Sequence, residues 1–92
     1  MDITCISKCS MKNCAYNMDG LCRTPAITVG PHAECITYVH ASSRGGFNDV
    51  SGGIGACLAA DCKFNERLEC RAPEIDVTSH GKHADCETYE KR

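Results

Sequence analysis

One spacing of cysteines, written twice, limits what this chain can become. Cys9, Cys14 and Cys22 stand in the frame C-x4-C-x7-C, with Cys35 after them. Cys57, Cys62 and Cys70 repeat that frame, with Cys86 after them. Residues 6–29 lie over residues 54–77 without a gap, and Ile6/Ile54, Asn17/Asn65, Arg23/Arg71, Pro25/Pro73, Ile27/Ile75 and Val29/Val77 match along with the cysteines. The copies differ in length only before the last cysteine, by three residues around Ser79 and His80. Beyond that, HAECITY from His32 lies over HADCETY from His83. Self-similarity of this kind is read before any finer structure.

Each copy is too small to be held by apolar burial alone. The chain has nine cysteines in 92 residues, no Trp, three Tyr and two Phe. Domains below about 40 residues usually need disulfides, a metal or a partner subunit. Disulfides persist in oxidising compartments and are rare in the cytosol. The stretch MDITCISKCSMKNC has no basic region followed by an apolar run, so no signal peptide is read there. No segment has the length and apolarity of a membrane span. An odd cysteine count would also leave one thiol outside a full disulfide set. The reading is a cytoplasmic, reduced protein whose cysteines bind metal, with a disulfide scaffold as the other use of the same residues.

Structural Zn²⁺ takes four tetrahedral ligands and is well served by thiolates. Two zinc ions per chain are expected, one on Cys9, Cys14, Cys22 and Cys35, the other on Cys57, Cys62, Cys70 and Cys86. Iron is the rival metal, but a plant-type iron–sulfur run reads C-x4-C-x2-C, and the paired C-x2-C loops of rubredoxin-like sites are missing. A site filled by four thiolates has no open position for water, so the metal is expected to be structural and the protein no enzyme. No catalytic triad, nucleophile elbow or phosphate-binding loop is written in the chain.

Local structure follows from the residues between the cysteines. Asp19-Gly20, midway between Cys14 and Cys22, is a hairpin-turn signal. Arg67-Leu68 occupies the matching place in copy two, and a turn of another kind is expected there. Ile27/Val29 and Ile75/Val77 alternate with polar residues, as short strands with one buried face do. Short helical turns are expected near 10–13 and 58–61, and no long helix. Tyr16 and Phe64 are expected to pack over the cysteine loop, Asn17 and Asn65 to begin the turn, and Tyr38 and Tyr89 to close the small core. The fold class is therefore two tandem zinc-ribbon-like or knuckle-like modules of β-hairpins and turns, repeat 1 over residues 1–40 and repeat 2 over 54–92. Residues 41–53, rich in Ser and Gly, read as a flexible linker, with Phe47 out of keeping.

Several residues stand outside the frame. Cys5 has no counterpart, Gly53 being in its place, and reads as a spare thiol, with a substitute ligand or a reactive nucleophile as the other uses. His32 and His83 precede the last cysteine by three residues; they are surface imidazoles, or substitute ligands in an H-x2-C arrangement. His40 and His80 read as solvated. Arg23 and Arg71, each directly after a ligand cysteine, offset negative charge at the site or lie in solvent.

C-x4-C-[AK]-[YF]-N, then C-R-x-P-x-I-x-V, then C-x-T-Y resembles the cysteine-rich family catalogued as domain of unknown function 1540, common in spore-forming Firmicutes and often present in pairs. The resemblance covers residues 6–38 and 54–89. It implies metal binding through the same two sets of four cysteines, and no activity.

The formal charge is −2, and two four-thiolate zinc sites would take it to about −6. Phosphate contact needs a basic footprint, so nucleic acid is not expected as a partner, nor is a membrane. The function read from the sequence is a non-enzymatic two-zinc module that binds a protein partner. Zinc storage or delivery, or a zinc–thiolate redox switch, is the alternative.

Overall fold

The computed structural model describes residues 3–92. Nine short strands follow in chain order: β1 (Cys5–Cys9), β2 (Asn17–Met18), β3 (Leu21–Cys22), β4 (Ala26–Val29), β5 (Gly53–Cys57), β6 (Asn65–Glu66), β7 (Glu69–Cys70), β8 (Glu74–His80) and β9 (His83–Cys86). Among the described residues there is no helix. The expected helical turns at 10–13 and 58–61 are hydrogen-bonded turns, in which Cys14 N–H donates to the Met11 carbonyl and Cys62 N–H to that of Ala59. No helix is long and apolar enough to cross a membrane.

The two copies interlock in one sheet of order β4-β5-β1-β8-β9. The first strand of copy one, β1, runs parallel to β8 of copy two, and the first strand of copy two, β5, runs parallel to β4 of copy one. β1 and β5 meet antiparallel at the centre. There Ile6 N–H donates to the Gly52 carbonyl and Ile54 N–H to that of Thr4, both at 2.9 Å. At the far side, Cys35 N–H donates to the Ala84 carbonyl and Cys86 N–H to that of Ala33. Each pair of bonds exchanges equivalent residues of the two copies, so a pseudo-two-fold axis passes between them. Bridges Glu34–Asp85 and Val29–Cys35 carry the pairing from β9 back to β4 and close it into a ring. Whether the two copies pack together was not legible in the sequence; each takes a strand partner from the other.

A bulge in each first strand sets the cysteines inward. In a regular strand, residues three apart face opposite sides. Yet Ile6 and Cys9 are both buried, as are Ile54 and Cys57. The register slips by one residue between Ile6 and Lys8, and again between Ile54 and Ala56 in their pairing with β8 and β4. The extra residue turns the end of the strand and brings the cysteine to the same face as the isoleucine. Opposite them Ile27, Val29, Ile75 and Val77 are at most 3% exposed, which is the buried face their alternation foretold.

Both cysteine hairpins have the same turn. Asp19 and Gly20 adopt φ of 56° and 84°, as Asp-Gly predicts. Arg67 and Leu68 adopt 56° and 66°, so the expected different turn in copy two is not found. Asn imposes the shape in both. Asn17 Oδ1 accepts from Gly20 N–H and Asn65 Oδ1 from Leu68 N–H, each at 3.1 Å, while their side-chain amides donate to the carbonyls of Cys9 and Cys57 at 2.8 Å.

Residues 41–53 are laid against copy one rather than looped free. Gly45 N–H donates to Ala15, Phe47 to Arg23, Gly52 to Cys22 and Gly53 to Pro25. The Phe47 ring itself is 58% exposed.

Candidate functional site

The strands and hairpins bring each predicted set of four thiols to one small cavity. Cys9 ends β1, Cys14 follows the tight turn from Met11, Cys22 ends the hairpin, and Cys35 returns beside β4. All four border a cavity of about 20 Å³, with Ile6, Met11, Tyr16, Ile27 and Tyr38 from the same copy and Val77 and Ala84 from the other. Cys57, Cys62, Cys70 and Cys86 border a cavity of about 10 Å³, with Phe64, Ile75 and Tyr89 from their own copy and Val29 and Ala33 from copy one. Each is room for about one water-sized body. Both walls are thus completed by the opposite copy, and Tyr16, Phe64, Tyr38 and Tyr89 pack where the sequence placed them.

All nine cysteines are free thiols. Among the described residues no three or more Cys, His, Asp or Glu side chains are drawn together tightly enough to hold a metal ion as they stand. The thiols ring the cavity without closing on a point inside it. Their chemistry nonetheless fits a soft divalent cation: four sulfur donors, an otherwise largely apolar wall and no carboxylate on either lining.

Burial pushes the Cys22 thiol up, and pushes Cys35 and Cys86 up to about 11. Backbone amides oppose the shift, those of Thr37 and Tyr38 at Cys35 and those of Thr88 and Tyr89 at Cys86. Neighbouring thiols add to it, Cys22 and Cys14 acting on Cys35, and Cys70 and Cys62 on Cys86. The members of each set therefore feel one another's charge, and four thiolates at one place need a cation to be tolerable.

The C-x-T motif has a structural purpose. Thr37 Oγ1 accepts from Thr28 N–H at 3.0 Å, and Thr88 Oγ1 from Asp76 N–H at 3.1 Å. Each hydroxyl ties the segment carrying the last cysteine to the buried strand beside it.

Two arginines missed by the sequence reading hold the cysteine turns from outside. Arg44 Nη1 donates to the Cys14 carbonyl at 2.9 Å and also reaches those of Lys12 and Asn17. Arg92 donates through Nε to the Cys62 carbonyl at 3.0 Å and through Nη2 to that of Asn65. The two are separated by the same forty-eight residues as Cys14 and Cys62. Past the three-residue insertion the copies align at an offset of fifty-one, so the alignment does not pair these two arginines and gave no signal for them.

His32 and His83 lie exposed and on neither cavity wall, as surface imidazoles. They flank Glu34, whose carboxyl is held below its usual range by its own backbone amide, then by the His32 amide and by the charge of both imidazoles. Arg71 lies in solvent 3.6 Å from Glu66. Arg23 is folded inward, its Nη1 on the Val50 carbonyl at 2.9 Å. Cys5 is exposed at the head of β1.

No curated protein matches the chain, and no solved structure does. The family described as Domain of Unknown Function (DUF1540) matches residues 8–45 and again residues 56–89. The repeated cysteine frame, the shared Asn-held hairpin and this double match lead to one statement: the chain belongs to the DUF1540 family and carries two copies of its domain in tandem.

Proposed function

We propose that the protein is a non-enzymatic, two-site zinc–thiolate module of the cytoplasm that presents a small rigid surface to a protein partner. One zinc is held by Cys9, Cys14, Cys22 and Cys35, the other by Cys57, Cys62, Cys70 and Cys86. The observation that carries the reading is the gathering of each set of four thiols around its own small, largely apolar cavity. Bound there, the ion neutralises thiolate charge and cross-links four points of the chain. The remaining work belongs to the residues around it. Asn17 and Asn65 fix the hairpins, Thr37 and Thr88 tether the fourth cysteines, and Arg44 and Arg92 hold the turns of the second. The finer fold reading, a zinc-ribbon-like or knuckle-like arrangement around each ion, rests on the same gathering. A closed four-thiolate site leaves no position for substrate, which supports a structural use.

Native mass spectrometry of the protein purified without added metal, with elemental analysis beside it, tests the reading. Two zinc ions per chain are expected. A metal-free chain whose mass is lower by about 2 Da per cysteine pair would replace the zinc reading with a disulfide scaffold. Zinc delivery or redox-controlled release is the second reading, favoured by the half-buried state of Cys35, Cys70 and Cys86.

A further inference from the structure

We propose that the two sites are unequal, and that the second is where zinc leaves and enters, with Cys70 as the thiol a competing ligand reaches first. This rests on the zinc reading above and adds to it how the two sites are regulated.

The asymmetry lies at Cys22 and Cys70, which are otherwise matched. Cys22 is 9% exposed and covered by the segment before β5. Gly52 donates its N–H to the Cys22 carbonyl and lies so close that a Cβ there would stand 2.9 Å from the Cys22 sulfur. Phe47 N–H bonds the Arg23 carbonyl, and Arg23 Nη1 bonds that of Val50. The Arg23 side chain is thereby folded back on this segment, its Nε buried with no hydrogen-bond partner. It pins the stretch that covers Cys22.

At the second site the matched position to Gly52 is Thr4, whose hydroxyl reaches the carbonyls of Cys70 and Ala72 at 2.9 Å. Cys70 is only half-buried and stands between two spaces. On one side is the four-thiol cavity. On the other is an open cleft of about 220 Å³ bordered by Ile3, Thr4, Arg71, Ala72 and Pro73. Arg71, matched to Arg23, is exposed and paired with Glu66, so it pins no covering segment. The second site therefore has an approach for an incoming donor of chelator or small-thiol size; the first has a covered sulfur.

The experiment is zinc release from the loaded full chain into a chromophoric chelator, with iodoacetamide present to mark each freed cysteine. Two phases of one zinc each are expected, differing in rate by about tenfold or more. Peptide mapping after the fast phase should find label on Cys57, Cys62, Cys70 and Cys86 and none on the first set. In Arg23→Gln the slow phase should quicken and the fast phase keep its rate. Release of both ions in a single phase, or label on the first set before the second, overturns the inequality while leaving the zinc reading intact. A chain that neither contains nor takes up zinc overturns the reading beneath it.

Discussion

Asn17 holds Cys9 by the backbone, its side-chain amide donating to the Cys9 carbonyl at 2.8 Å while its oxygen accepts from the hairpin turn. Asn65 does the same for Cys57. Both Asn side chains are 5% exposed, so no water replaces what they give. Asn17→Ala or Asn65→Ala leaves a buried carbonyl unpaired and should cost about 1–3 kcal/mol. Asn17→Asp should cost at least as much, since a carboxylate cannot donate and sets charge against the carbonyl. Urea midpoints of the zinc-loaded proteins check this; an unchanged midpoint in both alanine variants would remove the assigned role.

Leu68 lies in left-handed backbone at φ 66° where copy one has glycine. Its side chain is 47% exposed, so little burial is lost on removal. Leu68→Gly should stabilise the chain by about 0.5–1 kcal/mol, the relief of a strained non-glycine residue less glycine's greater freedom when unfolded. A rise in the denaturation midpoint with an unchanged slope is the expected result, and a fall would show that the leucine packs more than its exposure indicates.

Because β1 pairs with β8 and β4 with β5, the first strand of each half finds its parallel partner only in the other half. Fragments 1–50 and 51–92 should each stay unfolded as monomers even with zinc supplied, and combine into a folded pair when mixed. Size-exclusion chromatography with circular dichroism reads this directly. A folded monomer of either half contradicts the interlocked topology.

Arg44→Ala and Arg92→Ala each free the carbonyl of a second cysteine, Cys14 or Cys62. Both side chains start from the surface, so the loss should be small, about 1 kcal/mol each, and close to additive because the turns are separate. Thermal melts of the two single variants and the double variant test both statements.

Much of the candidate site was legible because its signals are local. The cysteine frame names eight thiols, Asp19-Gly20 names a turn, and Ile27/Val29 and Ile75/Val77 name two buried faces. What was not legible is which strand lies beside which. Alternation tells that Ile75 is buried, but carries no mark that Ile6 is its neighbour. The turn at Arg67-Leu68 hid for another reason: its shape comes from hydrogen bonds made by Asn65, which override the preference of the turn residues. The Gly- and Ser-rich composition of 41–53 pointed to freedom, yet those small residues are what let Gly52 approach the Cys22 sulfur.

The borrowed walls also set an order of events in the cell. The first cavity is finished only by Val77 and Ala84, which are synthesised well after Cys35. Synthesis adds about 5–20 residues per second, so the second copy follows the first by seconds. Four nascent thiols of copy one therefore wait for copy two before their cavity is walled. On the proposed zinc reading, the first site loads only once copy two has followed, and a product truncated before Val77 should present its thiols as a cluster of reactive sulfurs.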